Sequence, residues 1–169
     1  MSNSVVITSA CRTAVGSLGK SLKNISASEL GSTVISESIK RSKLKVDDVD
    51  EIIMGQVLTG GAGQNPARQA AISSGIPKEK PAYVVNQVCG SGIRSVASGF
   101  QSIKAGDSKI LIAGGQESMS LAPHAIHLRD GKKLGDTGSW YKPENKKKFD
   151  DNWDAIFNKP TTKTESKAK

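Results

Sequence analysis

The chain has 169 residues, enough for one domain with its own hydrophobic core. Aromatic residues make up only 4% of it, so that core is expected to consist of Val, Ile, Leu and Ala. The formal net charge is +8, much of it from lysines beyond Gly138. These lysines are not interleaved with aromatic residues and accompany no recognised binding motif, which argues against nucleic acid as a partner.

The cysteines and the lengths of the apolar runs indicate the cellular compartment and argue against disulfide and metal sites. Cys11 and Cys89 are far apart in sequence and form neither a disulfide framework nor a metal-ligand spacing. No apolar run approaches the roughly 20 residues needed to cross a bilayer, and the N-terminus lacks the features of a secretion signal. We therefore expect a cytoplasmic, reducing location and no membrane partner.

The first part of the chain is predicted to alternate between strands and helices. The β-branched run that opens residues 5–10 predicts a first strand. Ser26 and Glu29 form a capping box, and apolar residues at helical spacing then predict a helix that ends near Arg41. Residues 51–58 predict a second strand.

The middle of the chain continues this alternation. Asn65 as N-cap and Pro66 as the first helical residue predict a second helix, which ends near Gly75. Residues 83–85 predict a third strand. The next helix follows directly and has one strongly apolar face. That face consists of Ile93, Val96, Ala97, Phe100 and Ile103.

The last predicted strand completes the alternation of strands and helices and is followed by a loop and a tail. Gly106 ends the third helix, and residues 109–113 predict a fourth strand. The order β-α-β-α-β-α-β with short connections predicts an α/β domain whose sheet is mostly parallel and covered by helices. Residues 116–138 are then expected to form a loop with one helical turn. Residues 139–169 are expected to form a mobile, lysine-rich tail.

Cys89 is the candidate catalytic residue. It lies where a predicted strand turns into a helix, so the free N–H groups and dipole of the helix start favour its thiolate form. Gly90 and Gly92 permit a sharp turn and leave room for a substrate. The alternative is a buried cysteine that acts only as a small apolar side chain. The spacing alone leaves both interpretations open.

Four segments of the chain resemble the thiolase family in order and in spacing. They are residues 9–16 (SACRTAVG), 55–57 with 63–71 (GQV and GQNPARQAA), 86–92 (NQVCGSG) and 113–120 (AGGQESMS). The resemblance covers about residues 4–136 and is closest to biosynthetic acetyl-CoA acetyltransferases. The sequence motifs at 65–68 (NPAR) and 89–92 (CGSG) are together highly specific for this family.

The resemblance implies a fold and a reaction. The fold is a thiolase-like layered αβα domain over residues 1–138, with a mixed sheet that is incomplete at its C-terminal end and a loop domain that begins at about residue 116. The implied nucleophile is Cys89, which takes an acyl group from acyl-CoA and passes it to the carbanion of a second acetyl-CoA. Coenzyme A thioesters are then substrates, and no bound cofactor or metal is expected.

The resemblance also implies catalytic groups that are absent from this sequence. Thiolases carry a histidine in a Gly-His-Pro word, a second cysteine in a Cys-x-Gly-Gly-Gly word, and an Asn-Glu-Ala-Phe word, all in their second half. None of these words occurs here, and His124 and His127 correspond to the loop region. We expect a truncated chain that is poorly active or inactive alone, with a missing C-terminal half as a partner. Cys11 is expected to be structural.

Two other functions stay open from the sequence. One is a non-catalytic or dimerising remnant of a thiolase. The other is a related enzyme that condenses carrier-bound acyl groups, against which the words at 65–68 and 89–92 argue. The resemblance further implies that the third strand makes a dimer contact, so a homo-oligomer is expected. It also implies that the fourth strand is an unpaired apolar edge, because the family's next strand follows the loop domain.

Overall fold

The computed structural model describes residues 4–124, which form three α-helices, three β-strands and two short 3₁₀ helices. In chain order these are α1 (Ala27–Ser42), a 3₁₀ helix (Val46–Asp48), β1 (Glu51–Gly55), α2 (Pro66–Ser73), β2 (Ala82–Val85), α3 (Ser91–Ala105), β3 (Leu111–Gly115) and a 3₁₀ helix (Met119–Leu121). None of the helices in this part of the chain is long and apolar enough to cross a membrane.

The helices begin and end where their capping residues predicted. At the start of α1, the Glu29 N–H donates to Ser26 Oγ at 3.2 Å, and Glu29 Oε2 accepts from the Ser26 N–H at 2.8 Å. At the start of α2, Asn65 Oδ1 accepts from the Arg68 N–H at 3.1 Å. Gly106 ends α3 in the left-handed conformation, with φ of 87°. The predicted starts of α1 and α2 and the end of α3 are therefore confirmed.

The three strands form a parallel sheet in the order β2-β1-β3. Alternate residues of a strand face opposite sides of the sheet. Ile52 and Met54 of β1 face the main core, which contains residues of α1 and α2. Gly55 faces the start of α3, whose backbone it touches. The described residues thus form the predicted αβα layers.

The predicted first strand is wrong. Residues 5–10 belong to no strand, and Val6 and Ile7 are 71% and 80% exposed. Within residues 4–124, β3 pairs only with β1. A cavity of about 870 Å³ is lined by both residues 5–18 and β3, and so lies between them. A β-branched run favours extended backbone, but a strand also needs a neighbour about 4.8 Å away, which propensity does not supply.

Two strand boundaries also differ from the prediction. Strand β1 ends at Gly55 instead of residue 58. The N–H groups of Val57 and Leu58 donate to the Glu117 carboxylate and therefore do not hydrogen-bond a neighbouring strand. Strand β3 starts two residues later than predicted and includes Gly115, which is in register with Gly55. The prediction ended the strand before Gly114 and Gly115, but both residues pair with β1 and belong to β3.

The described residues include only the beginning of the predicted loop. The single helical turn predicted within residues 116–138 is present as the 3₁₀ helix Met119–Leu121. The rest of that segment, from residue 125, and the predicted tail at 139–169 lie outside the described residues.

Helix α3 packs on the sheet through small residues, and its apolar face points away from the sheet. The buried residues of α3 are Ser91, Ser95 and Gly99. By contrast, Ile93 is 73% exposed and Phe100 is 50% exposed. A Cβ atom at Gly99 would lie 2.5 Å from Leu111 Cδ1, so the helix axis approaches the sheet too closely for larger side chains.

The carboxylate of Asp50 joins the starts of β1 and β3. Its Oδ2 atom accepts hydrogen bonds from the N–H groups of Lys109 at 2.9 Å and Ile110 at 3.1 Å. These two backbone hydrogen bonds hold the pKa of Asp50 below its ordinary value. They also position β3, since Asp50 donates its own N–H to the Ile110 carbonyl at 2.8 Å.

Replacement of Asp50 tests this link. Asp50→Ala should lower the free energy of unfolding by about 1 kcal/mol, because the bonded carboxylate is partly solvated. Asp50→Asn keeps one acceptor oxygen and should lose less. Because the folded pKa is lowered, the wild-type advantage over Asp50→Asn is complete above the ordinary aspartate pKa and is lost as pH falls through the folded pKa. Urea unfolding at a series of acidic pH values measures this; an advantage independent of pH would contradict it.

Candidate active site

Cys89 lies in the turn between β2 and α3, and its side chain is exposed. Strand β2 ends at Val85 and α3 begins at Ser91, so the turn stands at the carboxyl end of the parallel sheet. Ligand sites of open α/β sheets are found at this end. The predicted strand-to-helix position of Cys89 is present, and the alternative of a buried apolar cysteine does not fit its exposure.

The residue before Cys89 has a strained backbone. Val88 has φ of 51°, which is rare for a β-branched residue. Its N–H donates to Asn86 Oδ1 at 3.0 Å, and its carbonyl accepts from Ser91 Oγ at 2.6 Å. Ser91 Oγ also accepts from the Gln87 N–H at 2.9 Å. The turn is therefore held in one conformation by side chains on both sides of Cys89.

Glycines let the start of α3 touch the ends of two strands. A Cβ atom at Gly55 would lie 2.4 Å from the Ser91 carbonyl carbon and 2.6 Å from the Gly92 nitrogen. A Cβ at Gly115 would lie 3.4 Å from Gly92 Cα. The N-terminus of α3 thus rests on β1 and β3, and this contact sets the position of Cys89 relative to the sheet.

No side chain caps the start of α3, although the Ser91 N–H donates to the Val88 carbonyl at 3.1 Å. Its N-cap is Gly90. First-turn N–H groups without a cap, together with the helix dipole, stabilise an anion next to them. Within residues 4–124, Cys89 Sγ has no hydrogen bond to a side chain, and the residue is exposed. The arrangement places an exposed thiol next to a helix start that no side chain caps.

The most specific sequence word at α2 has a structural role here. Asn65 Nδ2 donates to the Ala82 carbonyl at 2.8 Å, which connects the helix to β2. The Arg68 guanidinium donates to the carbonyl groups of Lys78 and Lys80. Gln69 Nε2 donates to the Ala62 carbonyl at 2.7 Å. These side chains order the loops on either side of α2 and do not contact Cys89.

Three polar residues near the same edge were missed by sequence reasoning. Gln56 and Gln116 are buried, and Gln116 Nε2 donates to Gln56 Oε1 at 2.8 Å. Glu117 accepts the Val57 N–H at 2.8 Å. They connect the segments that follow β1 and β3. Their position in the sequence could have identified them, because they follow parallel strands and the carboxyl ends of such strands lie at one edge of the sheet.

The remaining cysteine and histidine lie elsewhere. Cys11 is partly buried against α1, where its Sγ donates to the Val34 carbonyl at 3.3 Å and lies 3.1 Å from Ser38 Oγ. This packing agrees with a structural role. His124 is exposed, and His127 lies outside the described residues. No cluster of three potential metal ligands occurs in the part of the chain that the structure describes.

Comparison with known proteins identifies related sequences. The family model for the thiolase N-terminal domain matches residues 5–141. An acetyl-CoA acetyltransferase of Rhizobium meliloti is 56% identical over 137 residues, which are 80% of this chain and 35% of that protein. The chain thus spans about a third of the length of the curated relatives it matches.

Solved structures show the same relationship. The acetyl-CoA acetyltransferase of Bacillus anthracis aligns with a TM-score of 0.73 and 34% identity, covering 79% of this chain and 34% of that chain. A thiolase of Ascaris suum, solved in complex with coenzyme A, aligns with a TM-score of 0.65 and 41% identity, covering 70% and 31%.

Replacement of Gly55 tests the contact that positions Cys89. Gly55→Ala forces a Cβ into the backbone of α3 and should lower the free energy of unfolding by about 1–3 kcal/mol, as overpacking does. Gly60→Ala is the matched control, because nothing lies within 4 Å of a Cβ there. Thermal unfolding of both variants measures the difference. Equal stability of the two variants would show that α3 does not rest on β1.

Proposed function

The chain belongs to the thiolase family, and from this we propose that it is an acyl-CoA acyltransferase of the acetyl-CoA acetyltransferase type, with Cys89 as the nucleophile. The observation that carries the proposal is the exposed cysteine at the uncapped start of α3, at the carboxyl end of the sheet. Coenzyme A thioesters are the proposed substrates, in a cytoplasmic setting. No cofactor enters the proposed chemistry.

The first stage of the proposed reaction is acylation of Cys89. The thiolate attacks the carbonyl carbon of the acyl-CoA thioester, and the bond between that carbon and the coenzyme A sulfur breaks. Coenzyme A leaves as a thiolate and takes up a proton. The strained turn at Val88 and the contact of Gly55 with α3 keep the sulfur in place for this attack.

The second stage needs groups beyond those described. A second acetyl-CoA must lose an α-proton before its carbanion attacks the acyl group, and thiolysis reverses these steps. Loss of general-base assistance commonly lowers a rate by roughly two to four powers of ten. The proposed activity of residues 1–169 alone is therefore slow acylation without efficient turnover, and the complete reaction would need the groups that thiolases carry in their second half.

A non-catalytic remnant of a thiolase is the second candidate function. The observation that favours it is the lack of a side chain that hydrogen-bonds Cys89 Sγ within residues 4–124. A condensing enzyme for carrier-bound acyl groups is supported less well, since the relatives found are named acetyl-CoA acetyltransferases. Reactivity of Cys89 toward acetyl-CoA separates the first two candidates.

Acylation of Cys89 is tested by intact mass. After incubation with acetyl-CoA, the wild-type chain should gain one acetyl group, and Cys89→Ala should gain none. Cys11→Ala is the matched control and should still be acetylated, because Cys11 is engaged with α1. Acetylation that persists in Cys89→Ala, or an unmodified wild-type chain whose Cys89 alkylates no faster than in urea, would favour the non-catalytic remnant.

Self-association is proposed through the β2 edge of the sheet. Among residues 4–124, strand β2 pairs only with β1, and Tyr83 of this strand is 39% exposed. An unpaired strand edge pairs readily with a second copy, and a two-fold axis would let both copies use the same strand. This agrees with the dimer contact that the family resemblance assigns to this strand.

Sedimentation velocity tests the proposed edge. Tyr83→Lys should shift the wild-type chain from dimer toward monomer, because edge lysines oppose strand pairing. Ile93→Lys is the control, since it places the same charge on the exposed face of α3. If only Ile93→Lys dissociates the dimer, the contact lies on α3; a monomeric wild-type chain would remove the proposal.

A further inference from the structure

The side chain of Asn86 joins the turn that contains Cys89 to the segment that follows β1. Its Nδ2 atom donates to the Val57 carbonyl at 3.2 Å, and its Oδ1 atom accepts from the Val88 N–H at 3.0 Å. A carbonyl can only accept and an N–H can only donate, so these two contacts fix the orientation of the amide. A rotated amide would break both contacts.

The Val57 carbonyl that accepts from Asn86 is oriented by Glu117. The Val57 N–H donates to Glu117 Oε2 at 2.8 Å, and the Leu58 N–H lies 3.3 Å from Oε1 and 3.4 Å from Oε2. The Val57 carbonyl and the Leu58 N–H belong to one peptide group, and in a trans peptide group they point in opposite directions. With its N–H held toward Glu117, this peptide group directs its carbonyl toward Asn86.

These hydrogen bonds form a relay from Val88 through Asn86 and residues 57–58 to Glu117. Every donor in the relay points toward the Glu117 carboxylate. Hydrogen bonds arranged head to tail polarise one another, and an ionised acceptor forms stronger bonds than a neutral one. Glu117 is also half-buried, which limits competition from water. Its replacement should therefore loosen the hydrogen bond at the far end of the relay, at Val88.

The position of Glu117 itself is fixed by its buried neighbour. The Gln116 N–H donates to the Gly55 carbonyl at 2.9 Å, and Gln116 Nε2 donates to Gln56 Oε1 at 2.8 Å. Gln56 Nε2 in turn donates to the Leu58 carbonyl at 3.0 Å. The segments after β1 and β3 are therefore fixed relative to each other, and the Glu117 carboxylate is a firm anchor for the relay.

We propose that Glu117 is a positioning residue for Cys89. The inference rests on the proposed function, in which Cys89 is the nucleophile. Val88, which precedes it, has φ of 51°, a conformation that a β-branched side chain disfavours. The relay opposes relaxation of this backbone and so keeps the neighbouring sulfur in place for attack on a thioester.

A turn that holds itself is the alternative. Asn86 accepts from the N–H two residues ahead, which is the hydrogen bond of an Asx turn, and such turns form without a distant partner. Glu117 would then stabilise only the segment after β1. The two explanations differ in whether a change at Glu117 affects Val88.

Amide exchange at Val88, measured by NMR, and acetylation of Cys89 by acetyl-CoA, measured by intact mass, test the relay. In Glu117→Ala, exchange should become about fivefold faster, since a hydrogen bond of ordinary net strength contributes about that factor. The acetylation rate constant should fall by a similar factor, because the sulfur is less well placed. Glu117→Gln keeps one acceptor oxygen and should recover part of both effects.

A double variant shows whether Glu117 acts through Asn86. In Asn86→Ala the relay is already broken, so adding Glu117→Ala should change neither exchange at Val88 nor acetylation any further. Glu29→Ala is the matched control, because it also removes a carboxylate that accepts a backbone N–H, but at the start of α1. It should leave exchange at Val88 unchanged.

Three results would overturn the proposal. They are unchanged exchange at Val88 in Glu117→Ala, an equal acceleration in Glu29→Ala, and effects that multiply in the double variant. If Glu117→Ala does not fold, Glu117→Gln provides the same comparisons. Exchange at Val88 does not depend on acetyl-CoA. A wild-type chain that is not acetylated, but whose Val88 responds as expected, would therefore refute the proposed function and support the relay.

Discussion

The close approach of α3 to the sheet is the constraint on which the site depends. At Gly55, the last residue of β1, there is no space for a Cβ between strand and helix, because it would lie 2.4 Å from the Ser91 carbonyl carbon and 2.6 Å from the Gly92 nitrogen. Ser95 adds a hydrogen bond from its Oγ to the Gly114 carbonyl at 2.6 Å. The helix start is thereby seated directly on β1 and β3. Cys89, which immediately precedes that start, is presented at the edge of the sheet.

This packing also explains why the molecule has exposed apolar surface. Since α3 uses serine and glycine toward the sheet, its large side chains are directed outward, and Ile93 and Phe100 remain largely exposed. The two edges of the described sheet, at β2 and β3, are likewise open among the described residues. A chain with these three surfaces is suited to association, and the β3 edge differs from the others because a cavity of about 870 Å³ lies next to it.

The residues that identify the family mostly have structural roles in this chain. Asn65 and Arg68 order the loops around α2, and Glu117 holds the segment after β1. Cys89 is the exception, because it is exposed and its sulfur makes no hydrogen bond to a side chain of residues 4–124. The segment 86–92 combines structural residues with the proposed nucleophile, since Asn86 and Ser91 hold the turn in which Cys89 is exposed.

The sequence by itself determined the helices, three of the four predicted strands and the location of Cys89, because these depend on local signals. The capping box of Ser26 and Glu29, the Asn65-Pro66 start and the left-handed Gly106 act within one turn of the chain. Tertiary structure alone decided whether residues 5–10 pair, which face of α3 is buried, and how Gln56 meets Gln116. Each of these depends on a partner distant in sequence. A β-branched run or an apolar helical face records what a segment can do, whereas pairing and burial require a neighbour at the right distance.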